Sequence, residues 1–236
     1  EMPDAKLPPI DGTFNVVMTG VGGTGIVTIG AVLAMAAHLD GKGASMMEMA
    51  GLAQKGGAVH IHCRLANRPE DIAAIRVSLG ECDALIGGDL VVSAGAKTLA
   101  LMADGRTKGV VNSHEVITGA FTRDTEFRIP GDGLQLALQR RLRDGLQMMD
   151  ATRLAEVMLG DTIYSNMLVL GAAWQNGAVP LTHTAIVQAI ELNGAKVAEN
   201  IRAFEIGRWA AELPEDTVEK ATSTLSNKTL TLDEKI

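Results

Sequence analysis

The spacing of apolar residues changes along this chain, and the change divides it into two stretches. In the first, the apolar residues come in short runs. Phe14-Asn-Val-Val-Met-Thr19 is almost wholly apolar, the pattern of a strand covered on both faces. Thr24 to Leu39 is rich in Ala, Val and Ile and predicts a helix, stopped by Gly41 and Gly43. Ala44 to Met49 predicts a second strand. Ala58-Val-His60-Ile-His62-Cys63-Arg64-Leu65 alternates apolar and polar, as a strand with one covered face does. Asp83 to Gly87 and Lys108 to Asn112 predict further buried strands, with a helix over Ala94 to Met102 between them and an edge strand over Glu126 to Ile129.

From Leu134 the period becomes helical. Helices are expected over Leu134–Met149, Ala151–Leu159, Asn166–Trp174, Thr182–Leu192 and Ala195–Ala211, with Thr182 as an N-cap after Pro180. Strands and helices in this order predict an α/β domain of three-layer, Rossmann-like type. It has a mostly parallel sheet, helices on both faces and a helical C-terminal part. Residues 1–13 hold three prolines and no period, so they read as a linker or arm. Residues 14–213 form the domain, and 214–236, polar and Thr-rich, read as a tail or linker.

Composition sharpens this picture. Apolar residues make up 47% of the 236 but aromatics only 3%, so the core must be built from Ala, Val, Leu, Ile and eleven Met. A net charge of −7 with no basic tract argues against nucleic acid as a partner. Cys63 and Cys82, far apart and outside any CxxC, exclude a self-contained iron–sulfur cluster or Cys-rich zinc site and fit a reducing, cytoplasmic setting. No secretory pattern opens the chain. Asn15 to Ala37 carries no charge, but its five glycines and its threonines favour strand, loop and helix over a membrane span.

The chemistry centres on Gly20-Val21-Gly22-Gly23-Thr24-Gly25, a G-x-G-x-x-G between a strand and a helix. Glycines admit positive φ and remove side chains that would block a phosphate. The first amides of a helix are unpaired and its dipole favours negative charge there. Thr24 offers a hydroxyl to a ligand or to the helix as a cap. A turn needed only for close packing has the same sequence, and both readings stand at this point. Glu48, at the end of the second strand, would suit a nicotinamide dehydrogenase, but neither His114 nor His183 has an acid–base setting.

Other constellations are weaker. Gly131-Asp132-Gly133 matches half of a thiamine diphosphate motif, but no Asn follows at the required distance, the first being Asn166, so a turn starting a helix is expected. His60 and His62 share a strand face but lack a third ligand, and Arg64 beside them would repel a cation, so a packed or exposed face is expected. Cys63 points to the core with Val59 and Ile61. Gln54-Lys55-Gly56-Gly57 could place a cation and backbone amides at a ligand or subunit surface, or form a plain mobile loop.

Taken together, four segments resemble the gamma-type domain of the 2-oxoacid:ferredoxin oxidoreductases, in particular its members that act on indolepyruvate. They are Gly20–Gly25 with its Ala-rich helix; Met49-Ala-Gly-Leu-Ala-Gln54-Lys55-Gly56-Gly57; Asp83-Ala-Leu-Ile-Gly-Gly-Asp89; and Ser165-Asn166-Met-Leu-Val-Leu-Gly171, with Asn200 to Phe204 later. Where many relatives show Arg-Gly-Gly this chain has Lys55-Gly56-Gly57, which keeps the charge and loses the bidentate fork. The resemblance implies a dimeric, multi-subunit enzyme that decarboxylates an aryl 2-oxoacid oxidatively, forms the acyl-coenzyme A and passes electrons to ferredoxin. Thiamine diphosphate, magnesium and the iron–sulfur clusters would sit on thiamine-binding and ferredoxin-like domains or subunits. This chain would support the active site, with Gly20, Gly22, Gly23, Thr24 and Gly25 receiving coenzyme A phosphates, and Gln54, Lys55, Gly56, Gly57 and Asn166 facing substrate or partner. A nicotinamide-binding dehydrogenase and a structural α/β adaptor are the alternatives.

Overall fold

A computed structural model describes residues 2–50, 57–114 and 131–213, with Val218 and Ser223. Its strands are β1 (Thr13–Val21), β2 (Gly43–Ala50), β3 (Ala58–Ala66), β4 (Ala84–Gly87), β5 (Lys108–Asn112) and β6 (Leu146–Met149). They form one sheet in the order β2-β3-β1-β4-β5-β6. β1, β4, β5 and β6 run parallel. β3 is reversed and lies between β1 and β2.

The apolar run in β1 is explained by cover on both faces. Val16 and Met18 enter one core, Val17 the other, and all three are fully buried. Over the first face lie α1 (Ile26–Leu39), α5 (Ala151–Leu159), α6 (Ser165–Gln175), α7 (His183–Asn193) and α8 (Val197–Glu212). The second core takes its helical side chains from α2 (Leu90–Ser93), α3 (Ala96–Leu101) and α4 (Gly131–Leu142). The result is the three-layer α/β arrangement expected, with the helical C-terminal part packed on the first face.

Every residue of α6 is buried. It meets α8 through reciprocal glycines: a Cβ on Gly171 would fall on the carbonyl of Phe204, and one on Gly207 on the carbonyl of Leu168. Arg208 of α8 is buried beside this crossing, its guanidinium 4.7 Å from the centre of the Trp174 ring. It donates to Gln175 Oε1 (2.9 Å) and Glu205 Oε2 (2.8 Å), and to the carbonyl of Pro3 (3.2 Å). The N-terminal arm is therefore fastened to α6 and α8, and its Ala5, Leu7 and Ile10 pack against the core.

The helix expected over Leu134–Met149 is corrected. α4 ends at Leu142, Arg143 takes a left-handed φ of 53°, and Leu146–Met149 becomes β6, paired with β5 from Gly109↔Leu146 to Asn112↔Met149. Leu-Gln-Met-Met has no period of its own, and the open ladder of β5 decides its conformation. The helix expected over Ala94–Met102 is shorter, being split from α2 at Gly95. Thr182 caps α7 as expected, accepting from the amide of Ala185 (3.2 Å). The edge strand expected at Glu126–Ile129 lies outside the described residues.

Candidate functional site at the ends of the first and fourth strands

From β1 the chain crosses to β2 on one side of the sheet, while β4 lies on the other side and leads on to β5. The C-terminal ends of β1 and β4 thus flank a topological switch point, the place where open α/β sheets hold ligands. The glycine loop leaves β1 there, and the turn Gly88–Asp89 leaves β4.

The four loop glycines do different things. Gly20 is still in β1, where an added Cβ would stand 3.1 Å from Ile26 Cβ, so it lets α1 close on the strand. Gly23 and Gly25 each have φ of 86°, which favours glycine, and Gly25 is the N-cap of α1 with no side chain capping it. Gly22 is neither: it is not among the positive-φ glycines, and its Cβ would find nothing closer than 3.6 Å. No contact among the described residues demands a glycine at that position.

Some of the loop's donors are already used. The Gly22 amide donates to the carbonyl of Gly57 (2.9 Å), and the Thr24 amide and hydroxyl both donate to the carbonyl of Val21 (3.2 and 2.7 Å). Thr24 therefore closes its own turn. The amides of Gly23 and Gly25 have no partner among the described residues.

Asn166, in the first turn of α6, reaches the loop from above. It is 3% exposed, and its Nδ2 donates to the Thr24 carbonyl at 2.6 Å. Gly88 returns its amide to the Thr19 carbonyl (2.7 Å), and its own carbonyl accepts from Asn112 Nδ2 (3.2 Å). Asn112 also donates to Thr152 Oγ1 (2.8 Å) and accepts from the Ala151 amide (3.1 Å). The ends of β1, β4 and β5 are thus stitched together by two buried asparagines. Sequence reasoning singled out Asn166 and missed Asn112, whose signal was an amide side chain closing an apolar strand. Gly57 is brought to the loop; Gln54, Lys55 and Gly56 lie outside the described residues.

Elsewhere the polar groups are engaged in structure. The His60 ring stands 3.1 Å from Thr98 Oγ1, and His62 Nδ1 accepts the Val77 amide (3.0 Å). Burial holds His62 down to about 4, helped by Arg76 and His60, and burial followed by Lys97 lowers His60, so both are neutral donors or acceptors near pH 7. Arg64 donates to Asn15 Oδ1 and Thr13 Oγ1 (3.0 Å each). This is a packed strand face. Cys63 is buried in the first core, its thiol pushed up to about 12 by burial. No group of three His, Cys, Asp or Glu residues that could hold a metal occurs among the described residues. Nor, among them, is any helix long and apolar enough to cross a membrane.

Two clefts lie away from the loop. One, about 510 Å³, runs beside β6 and is lined by Gln147, Met149 and Leu154. The other, about 530 Å³, sits at the opposite end of β1, where Arg106 pairs with Asp83 (3.4 Å) and Lys108 donates to the Asn176 carbonyl (3.2 Å). Glu48 cannot serve as a ribose-binding acid beside the loop. It lies opposite Ile61 of β3, and Ile61 opposite Met18 of β1, so two strand spacings, about 10 Å, separate it from β1. His183 is spent on Glu205 (2.6 Å).

The model of the pyruvate ferredoxin/flavodoxin oxidoreductase family matches residues 15–210. Indolepyruvate oxidoreductase subunit IorB of Archaeoglobus fulgidus is 26% identical over 196 residues, covering 82% of this chain and 93% of the relative. The protein of that name from Thermococcus kodakarensis is 26% identical over 208 residues, covering 84% and 96%. Among solved structures, the keto/oxoacid ferredoxin oxidoreductase gamma subunit of Geobacter sulfurreducens superposes with a TM-score of 0.59 at 21% identity, over 84% of this chain and 98% of that one. The whole sequence holds two cysteines and no completed thiamine motif. The chain belongs to the pyruvate ferredoxin/flavodoxin oxidoreductase family, as a gamma-type member of the 2-oxoacid:ferredoxin oxidoreductases.

Proposed function

We propose that this chain is the gamma-type part of an indolepyruvate oxidoreductase. The assembled enzyme would convert an aryl 2-oxoacid to its acyl-coenzyme A and deliver two electrons to ferredoxin. The observation that carries the reading is the near end-to-end match to relatives named for indolepyruvate, which span 93–96% of their own length. Thiamine diphosphate, magnesium and the clusters belong on other domains or subunits. The residues described here do not fit them: the two cysteines are buried apart, and no candidate ligand group exists among the described residues.

What this chain supplies is a built anion cradle at the switch point. The Gly23 and Gly25 amides are without a partner among the described residues at the positive end of α1, and Gly22 adds no side chain to the loop. The exposed Val27 and Ile163 edge the loop with apolar surface. Phosphates of coenzyme A suit the amides, and its less polar arm suits the edge. Gln54, Lys55, Gly56 and Gly57 are read as facing substrate or a partner subunit, while the buried Asn166 serves the loop from within. The substrate assignment is tested by dye reduction with the enzyme assembled from this chain and its thiamine-binding partner. Indolepyruvate is expected to exceed pyruvate and 2-oxoglutarate at least tenfold in kcat/KM, and equal or better turnover of either competitor overturns it. For the cradle, calorimetry of coenzyme A with the assembled Gly22→Val enzyme is expected to show a clear loss of affinity. Unchanged affinity sinks it.

A further inference from the structure

We infer that Asn166 is a positioning residue, holding the peptide between Thr24 and Gly25 so that the Gly25 N–H faces the ligand. The inference rests on the reading of the glycine loop as an anion cradle.

The geometry gives the reason. A trans peptide points its C=O and its N–H in opposite directions, and no described peptide is cis. The Thr24 carbonyl is turned inward by the 2.6 Å hydrogen bond from Asn166 Nδ2. The Gly25 N–H on that same peptide must then point outward, where it has no partner among the described residues. Gly25 has no Cβ and already takes a φ of 86°, so its backbone tolerates both orientations of this peptide. One bond therefore decides which way the amide faces.

The other half of the Asn166 amide points the same way. Oδ1 is buried and has no hydrogen-bond partner among the described residues. It stands where a Cβ on Gly88 would be, so the missing side chain of Gly88 makes room for it. An unmade hydrogen bond in the interior costs stability, and a leucine of similar size would carry no unpaired oxygen. What leucine lacks is the N–H aimed at Thr24. The position is thus filled against packing preference by the group that orients the loop.

The test uses the assembled enzyme with coenzyme A as the probe. Asn166→Leu removes the donor, and Gly88→Ala evicts the same amide from the opposite side. Each is expected to raise the KM for coenzyme A and its calorimetric Kd at least tenfold while kcat at saturating coenzyme A stays within twofold. The double variant should be no worse than the worse single one, because both break one contact. A merely structural role would lower the melting temperature and reduce kcat with KM untouched, and that result overturns the inference. If Asn166→Leu does not assemble, Asn166→Asp, which keeps the shape and loses the donor, takes its place with the same expectation. The two readings fail separately. Loss of affinity in Gly22→Val with none in Asn166→Leu or Gly88→Ala refutes the positioning role alone, whereas no loss in Gly22→Val refutes the cradle.

Discussion

Two pairs of glycines in this molecule look alike in sequence and are opposites in structure. Gly171 and Gly207 sit where α6 crosses α8, and each would drive a Cβ into a backbone carbonyl of the other helix. Gly22 and Gly23 sit in the loop after β1, where a Cβ would meet only ordinary contact or open space. The first pair is required by the protein's own packing. In the second pair, Gly23 is required by its φ of 86°, and Gly22 by nothing within the described structure. A glycine that the fold does not need is the better pointer to something outside the fold. That contrast moves the loop from a packing turn towards a ligand site, and substitution can break it.

The largest effect is expected at the helix crossing. Gly171→Ala and Gly207→Ala press a methyl group against backbone, which no rotamer change relieves, so the helices must separate. The expected cost is roughly 3 kcal/mol, the upper part of the range for overpacked cores. That corresponds to a fall in melting temperature of about 6–12 °C for a domain of this size. Thermal unfolding followed by circular dichroism checks it, and a loss below about 0.5 kcal/mol would mean the crossing is looser than described. Next comes Gly25→Ala. There is room for the methyl, so the cost is only that of an L-residue in the left-handed region, about 1–2 kcal/mol. The two numbers separate a steric glycine from a conformational one, and equal losses would erase the distinction.

Much of this was legible in the sequence. The strands and most helices follow from period and punctuation, because β1 and β4 are buried on both faces and α5 ends at Gly160. The glycine loop was legible too as the turn from β1 into α1, since its glycines end an apolar run and open a helical one. What the sequence could not display was partnership. β6 exists because β5 has an open edge, which no feature of Leu-Gln-Met-Met announces. The reversed β3 slipped between β1 and β2 removes Glu48 from the loop, and pairing order is a long-range property. Asn112 and Asn166 were each visible as residues, but their joint role depends on strands and helices remote in sequence meeting at one edge of the sheet.

A third prediction concerns the face of β3 opposite the first core. His62 accepts the Val77 amide through Nδ1 and so ties the segment after β3 to the sheet. Its folded pKa, near 4, lies below the ordinary value of 6.5 because burial disfavours the imidazolium. The unfolded chain therefore binds more protons between these values, and stability is full above about pH 6.5 and lost progressively as pH falls towards 4. Denaturant midpoints measured from pH 7 to pH 4 should fall, and His62→Gln should flatten that dependence. An equal slope in the variant would assign the acid sensitivity to other groups.

The smallest expected effect on stability carries the most information about the loop. Gly22→Ala adds a methyl 3.6 Å from its nearest neighbour, the Gly57 carbonyl, at a position without positive φ. The folded state should absorb it, and an alanine restricts the unfolded chain more than a glycine does, so the change in unfolding free energy should stay within about 0.5 kcal/mol of zero. On the cradle reading a phosphate must come close to this backbone, and the added methyl, which stands beside Gly57 and Val59, crowds the loop it would enter. Unchanged melting together with weakened coenzyme A binding in the assembled enzyme is the signature of a glycine kept for a ligand. A marked loss of stability would return Gly22 to the class of Gly171 and Gly207, and would leave the loop with no residue that the fold itself does not explain.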